Sequence, residues 1–267
     1  MTGAAPDLAA ELALALDIAD AVDALTLPPF VRRDVAVDWK ANRTEVTEVD
    51  RRAEELIVER LAADRPTHRV YGEEHGRRGP VDASWEWVID PIDGTSGFVR
   101  GIPIWATLIG LTHAEDGPVL GVVSAPALQR RWWAATGLGA HVRALGTERP
   151  LRVSSVSTVE EAQVSVTHSS GWDRLGLTGA LVELQRRARR SRGVGDFWQH
   201  MLVAEGAMDL AVDAVGVAPY DLAALMPVVE EAGGTFTDRH GRRTHLGDTA
   251  ISSNGHLHDE AVAALGG

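Results

Sequence analysis

Apolar residues recur at three- and four-residue spacing over residues 7–25 (DLAAELALALDIADAVDAL), the period of a helix with one buried face, and Pro28-Pro29 is expected to close it. Residues 35–40 alternate as a short strand does. Thr47 opens T-E-V-D, with Asp50 in the acid position of a capping box, and predicts a helix from there to about Ala63, broken by Pro66. HRVYGEE reads as a strand entering a turn, and WEWVID as a second strand that meets PIDGT. IWATLIGLTH and PVLGVVSAPA are apolar β-rich runs on either side of Glu115-Asp116-Gly117, a hairpin pattern, and RRWWAATGLGAHV extends the same sheet. Past residue 148 the grammar changes. RVSSVS and AQVSVTHSS read as strand and loop, 178–190 and 197–208 as helices, DLAVDA as a strand, 221–232 as a helix, and GGTFTD and ISSNG as closing strands. The segment 1–148 is therefore expected to be an α+β half with antiparallel hairpins, and 149–267 an α/β half. No repeat or linker separates them, so the two should pack closely.

Composition narrows the class. A chain of 267 residues, 45% hydrophobic, can bury a sizeable core, and no run of eighteen apolar residues predicts a membrane span. The N-terminal segment carries acids where a secretory leader would carry bases. The absence of cysteine excludes disulfides, thiolate metal sites and cysteine nucleophiles, and a cytoplasmic location is the expectation. With 38 acids against 26 bases the net charge is −12, a field that repels nucleic acid and anionic membranes, so neither is expected as a partner. An anionic substrate would need bound cations to invert the local sign.

The densest chemistry lies at Asp90-Pro91-Ile92-Asp93-Gly94-Thr95. The strand is expected to end at Asp90, with Pro91 forcing a turn and Gly94 permitting close backbone approach. Two carboxylates three residues apart, with the Ile92 carbonyl between them, make a hard oxygen set suited to Mg²⁺. The amides of Gly94 and Thr95 then open a short helix against which a phosphate fits. An ordinary Asp-Pro/Asp-Gly turn has the same letters. In isolation Gly72-Glu73-Glu74 reads equally as a solvated loop, Asp221 as a helix N-cap, and Asp50 as the capping-box acid alone.

Taken in order, GEE, then DPIDGT, then D-L-A-A…E-A-G-G near the C-terminus resemble the inositol monophosphatase family over nearly the whole chain. The resemblance implies a layered α-β-α-β-α sugar-phosphatase sandwich, usually a homodimer, and a Mg²⁺-dependent phosphatase with two or three ions per site. It assigns Glu73, Asp90, the Ile92 carbonyl, Asp93 and Asp221 as metal ligands, and Thr95 and Asp50 as the pair that, with Glu73, orients the attacking water. Asp93, Gly94, Thr95 and Asp221 would also face the substrate. Lys40, the only lysine, stands near a family lysine, but its spacing to Asp50 leaves it unassigned.

Within the family the chain looks most like the actinobacterial histidinol-phosphatases. The segments that carry this are GFVRGIPIWATLIGL (97–111), GVVSAPALQRRWW (121–133), SSGW (169–172) and GDFWQHMLVAEGAMDLAVD (195–213). By position, Arg192, Gly195, Asp196 and Asp213 fall where family members contact the leaving group or phosphate. Asp196 and Asp213 would suit an amino-alcohol cation such as histidinol, where inositol would want hydroxyl partners. Asp196 also reads as an N-cap before FWQHM, and Asp213 as an exposed strand-end acid. The substrate expectation is histidinol phosphate, which would place the enzyme in histidine biosynthesis. An inositol phosphate or other polyol phosphate is the alternative, and a noncatalytic metal-binding homologue is a weaker one, since no ligand is missing.

Three positions depart from the family. Gly97 replaces the usual Asn, removing a side chain that braces the metal loop. Ser96 stands where Lys is common, and Tyr220 replaces a Trp. Among the histidines only H-L-H at 256–258 approaches zinc spacing, and Trp132-Trp133 read as core or dimer packing.

Overall fold

Two large sheets and a small antiparallel ribbon, Val37–Trp39 with Glu45–Thr47, organise the chain in the computed structural model, which describes residues 7–39 and 45–266. Lys40 lies outside the described residues. The larger sheet has eight strands in the spatial order Thr147–Pro150, Gly139–Ala144, Arg130–Ala135, Gly117–Ala125, Ala106–His113, Trp85–Asp93, Arg69–Gly72 and Gly76–Arg78. All neighbours are antiparallel except Arg69–Gly72 and Trp85–Asp93, which run parallel. The smaller sheet orders Arg190–Arg192, Gln163–Val166, Leu210–Val212, Ile251–Ser253 and Thr235–Thr237, its first three strands parallel and its last two joined antiparallel.

Period-two alternation gives the large sheet two apolar faces. Ile109, Leu111 and Val122 meet Ile18, Val22, Ile57 and Leu61 from the helices Leu8–Arg32 and Glu48–Asp64. Leu108, Val123 and Trp132 turn the other way, onto Phe197 and Met201 of helix Asp196–Ala204 and Leu225 and Val228 of helix Leu225–Glu231. The outer face of the small sheet packs Val164, Val166 and Leu210 on Leu181 and Leu184 of Thr178–Arg187 and Ala261 and Leu265 of His258–Leu265. Helix, sheet, helix, sheet and helix thus alternate, as expected. Trp132 and Trp133 are both core residues, on opposite faces.

The segment carrying Asp221 is seated in the large sheet by a glycine pair. Gly110 and Gly121 stand opposite each other, and a Cβ on Gly121 would lie 1.9 Å from the Ala224 carbonyl oxygen. A Cβ on Gly110 would lie 2.9 Å from the Ala223 carbonyl carbon. Only bare backbone admits the chain this closely.

Several expectations are corrected. The first helix does not stop at Pro28-Pro29 but runs to Arg32. The two prolines remove only their own N–H donors, while Pro29 still accepts from Asp34 at 3.3 Å and Phe30 packs among Phe98 and Trp105. The strand WEWVID continues through Pro91 to Asp93, with a register shift against Ala106–His113 between Asp90 and Asp93. The segment 221–232 is two short helices, Pro219–Leu222 and Leu225–Glu231. Helix 178–190 ends at Arg187, where the chain turns into the strand Arg190–Arg192, and RVSSVS forms no strand.

Candidate active site

The irregularity at the end of the strand Trp85–Asp93 shapes the site. The Asp90 carboxylate folds back to accept the Ile92 N–H at 2.9 Å, and Thr107 Oγ1 donates to the Pro91 carbonyl at 2.9 Å. Ile92 buries its side chain with Phe98 and Trp105, which leaves its carbonyl to accept from Thr95 Oγ1 at 2.9 Å. Gly94 then turns with φ +87°, where a Cβ would lie 2.9 Å from the Ile104 carbonyl oxygen, and the helix Thr95–Arg100 begins. Gly97 sits in the same crevice, a Cβ there reaching to 3.0 Å from that oxygen. The strip 102–104 therefore braces this loop through backbone contact, where the family's usual side chain is missing.

Asp90, Asp93 and Asp221 each offer a carboxylate oxygen, and these three oxygens lie within 4.8 Å of one another. With Glu45, Glu73, Ile92, Gly94, Thr95 and Ser96 they line a cleft of about 380 Å³. Asp221 is the third residue of its short helix, not the N-cap, and accepts the Ala218 N–H at 2.7 Å. Asp93 accepts the Phe197 N–H at 2.7 Å, which ties the C-terminal half to the Asp90–Thr95 turn. The Asp50 capping box forms as expected, with the Thr47 N–H donating at 2.8 Å, but the other Asp50 oxygen also receives Thr95 Oγ1 at 3.1 Å. The resemblance paired those two residues, and the fold places them in contact.

Burial pushes the Asp90 carboxyl well above the ordinary range, reinforced by Glu73, Asp93 and Asp221. Burial does the same to Asp93, with Asp196 and Asp221 adding to it. Burial raises Asp221 to about 7, with Glu73 and Asp213 adding to the rise against the Ala218 hydrogen bond. Burial and then Asp213 raise Asp196 to about 6. Tyr220, edge-on to Tyr71, is raised by burial and the neighbouring Glu73 and Asp221 charges. A set of hard oxygens this crowded fits a small divalent cation, whose charge would relieve the repulsion.

The chain matches the inositol monophosphatase family over residues 9–266. It belongs to the inositol monophosphatase family. Histidinol-phosphatase of Streptomyces coelicolor is 46% identical, with 97% of this chain and 98% of that one covered. Histidinol-phosphatase of Mycobacterium tuberculosis is also 46% identical, over 96% and 97%. An inositol monophosphatase structure from Thermotoga maritima superposes with a TM-score of 0.83 at 30% identity, covering 96% of each chain.

Against this family frame, the leaving-group candidates separate. Asp196 does not cap its helix. Gly195, at φ +79°, is the N-cap, and Asp196 is the first helical residue at φ +48°, its carboxylate turned toward Gly94 and Asp93. Asp213 is buried rather than exposed, accepting the Ala214 N–H at 2.7 Å and lying 3.1 Å from His200 Nε2. Arg192 does not join the group lining the cleft: its exposed guanidinium donates to the Ser191 carbonyl at 2.8 Å.

The sequence reading missed two residues that brace this site. Fully buried His200 links Asp213 to Ser252. Glu54, also fully buried, accepts from the amides of Glu74 and His75. The signal for Glu54 was present: Asp50, Glu54, Ile57 and Leu61 form one helical stripe, and an acid on a buried stripe requires a partner.

Proposed function

We propose that the chain is a Mg²⁺-dependent phosphatase that hydrolyses histidinol phosphate by direct attack of water, with no phosphoenzyme. The crowded trio Asp90, Asp93 and Asp221 supports this most directly, because such a cluster demands cations and offers them a phosphate-sized cleft. Glu73, Asp90, the Ile92 carbonyl, Asp93 and Asp221 would hold two or three ions. When bound, these ions supply the positive charge that a phosphoryl transition state, with its charge spread over equatorial oxygens, requires.

The protein groups do the orienting. Thr95 Oγ1, which lines the cleft, gives its single proton to Asp50 or to the Ile92 carbonyl and so meets the attacking water as an acceptor. Asp50 is one of the two acceptors that hold the hydroxyl in place. The Gly94 and Thr95 amides are placed to steady the phosphate. Asp196 and Asp213 stand beyond Asp93 as paired acids for a cationic leaving group, and the likeness to two histidinol-phosphatases supports that substrate. The protein acts as a cytoplasmic homodimer in this reading. No helix among the described residues is long and apolar enough to cross a membrane.

Phosphate release in Mg²⁺, with histidinol phosphate compared against inositol 1-phosphate and an EDTA control, tests the proposal. The expected kcat/KM preference for histidinol phosphate is about a hundredfold or more, roughly 2.7 kcal/mol of transition-state discrimination. Equal rates, or a preference for inositol 1-phosphate, would transfer the assignment to a polyol phosphatase. Activity unaffected by EDTA would overturn the metal reading.

A further inference from the structure

We propose that Glu54 is a positioning residue for the ion-binding turn, acting through the backbone that presents Glu73. This rests on the phosphatase reading, because it assigns Glu73 to a cation. Glu73 sits in the three-residue turn between Arg69–Gly72 and Gly76–Arg78, a hairpin at the edge of the large sheet.

Glu54 constrains this turn through its backbone. Its Oε2 accepts the Glu74 N–H at 2.7 Å, and its Oε1 accepts the His75 N–H at 2.9 Å and lies 3.0 Å from His75 Nδ1. The two amides immediately after Glu73 thus end on one buried carboxylate. Gly72, immediately before Glu73, lies flat against that carboxylate, where a Cβ would come within 2.4 Å of the carboxyl carbon. The turn is clamped on both sides of Glu73 by a group that never reaches the cleft.

The clamp also sets a distance. Glu54 lies one helical turn after Asp50 on the same rigid helix, Glu48–Asp64. Asp50 holds Thr95, and Glu54 holds the turn of Glu73. One helix therefore fixes the water-orienting pair and the ion-binding glutamate relative to each other. A carboxylate suits this role and an amide does not. Gln would present one acceptor oxygen and turn its NH₂ toward an N–H, leaving at least one buried donor unpaired.

Mg²⁺ binding by isothermal titration calorimetry tests this on the full chain, with wild type, E54Q, G72A, H75A and D90N. E54Q and G72A are expected to weaken Mg²⁺ about ten- to hundredfold, the range seen when partners that orient ligands are lost. H75A, which removes only the ring donor, should weaken it less, and carries the test should E54Q fail to fold. The kcat deficit of E54Q should shrink as Mg²⁺ is raised, with KM for histidinol phosphate unchanged. A lowered melting temperature with unchanged Mg²⁺ affinity in E54Q and G72A would overturn the proposal and leave Glu54 as a stability residue. Wild type that binds no Mg²⁺, matching D90N, would overturn the phosphatase reading itself.

Discussion

Asp90 and Asp238 are both buried aspartates, and their surroundings are opposites. Asp238 lies in the loop after the strand Thr235–Thr237 and accepts the amides of His240 at 2.9 Å and Arg242 at 3.0 Å, as well as Arg242 Nε at 2.7 Å. Burial works to raise its pKa, but those donors outweigh burial and hold it below the usual value. Asp90 accepts one backbone donor, the Ile92 N–H, and is raised by burial and then by four acids, Glu73, Asp93, Asp221 and Asp50, so its pKa moves the other way. The first arrangement is complete in itself and stabilises the loop. The second is crowded with like charge, and a bound cation would relieve it. Burial of an acid therefore says little about function until the sign of its neighbours is known.

Replacing one acid in each place sharpens the contrast. Asp93→Asn should lower phosphate release by on the order of a thousandfold, because it breaks the ion-binding set. The same change should raise the melting temperature in EDTA, since it removes a buried like charge. A fall in melting temperature together with lost activity would make Asp93 a structural acid of the Asp238 kind. Asp238→Asn should do the reverse. Stability should drop by about 1–3 kcal/mol, read by denaturant unfolding, as an amide NH₂ meets the Arg242 guanidinium, while kcat holds.

A smaller effect is expected at the leaving-group end. Asp196→Ala should reduce kcat/KM for histidinol phosphate about tenfold more than for inositol 1-phosphate, roughly 1.4 kcal/mol of selective loss. Equal loss on both would make Asp196 a backbone residue only.

The smallest effect is a pH slope. The folded pKa values of Asp221, about 7, and Asp196, about 6, are raised above those of an unfolded chain. Their protonated forms favour the fold, so this stability is present below about pH 4 and is lost as pH rises through 6 to 7. In EDTA the melting temperature should therefore fall between pH 5 and 8. Mg²⁺ should flatten or reverse that slope, because it competes with protons for the same oxygens. A melting curve series with and without the ion checks both arms, and a flat series in EDTA would show that the acids are not crowded in solution.

Much of this site was legible in the chain because its chemistry is local. The capping box at Thr47 and Asp50 and the turn at Asp90 to Thr95 are set by residues within a few positions of one another. Most helices and strands followed from alternating periods of two and 3.6, whereas the layered sandwich was what the family resemblance implied. What could not be read depended on tertiary contact. Proline normally ends a helix, yet Phe30 packing on Phe98 and Trp105 accompanies the helix past Pro28-Pro29. The strand ran past Pro91 because Thr107 from the neighbouring strand takes up the Pro91 carbonyl. Asp196 was open to a capping reading because nothing in the letters reveals a positive φ at a residue that follows glycine. Arg192 was named by its position within the family pattern, and in the single chain its exposed guanidinium donates to the Ser191 carbonyl.

The positive φ of Asp196, directly after the glycine turn at Gly195, has a consequence for how this enzyme can diversify. Most side chains are disfavoured by about 1–2 kcal/mol in that conformation, while glycine, asparagine and aspartate enter it readily. The lip of the cleft at this point is therefore restricted to a short alphabet: an acid, its amide, or no side chain. A lineage could exchange these three without refolding the helix behind them, altering charge toward an incoming alcohol while preserving shape. Larger innovations in substrate choice would have to arise at other positions around the mouth.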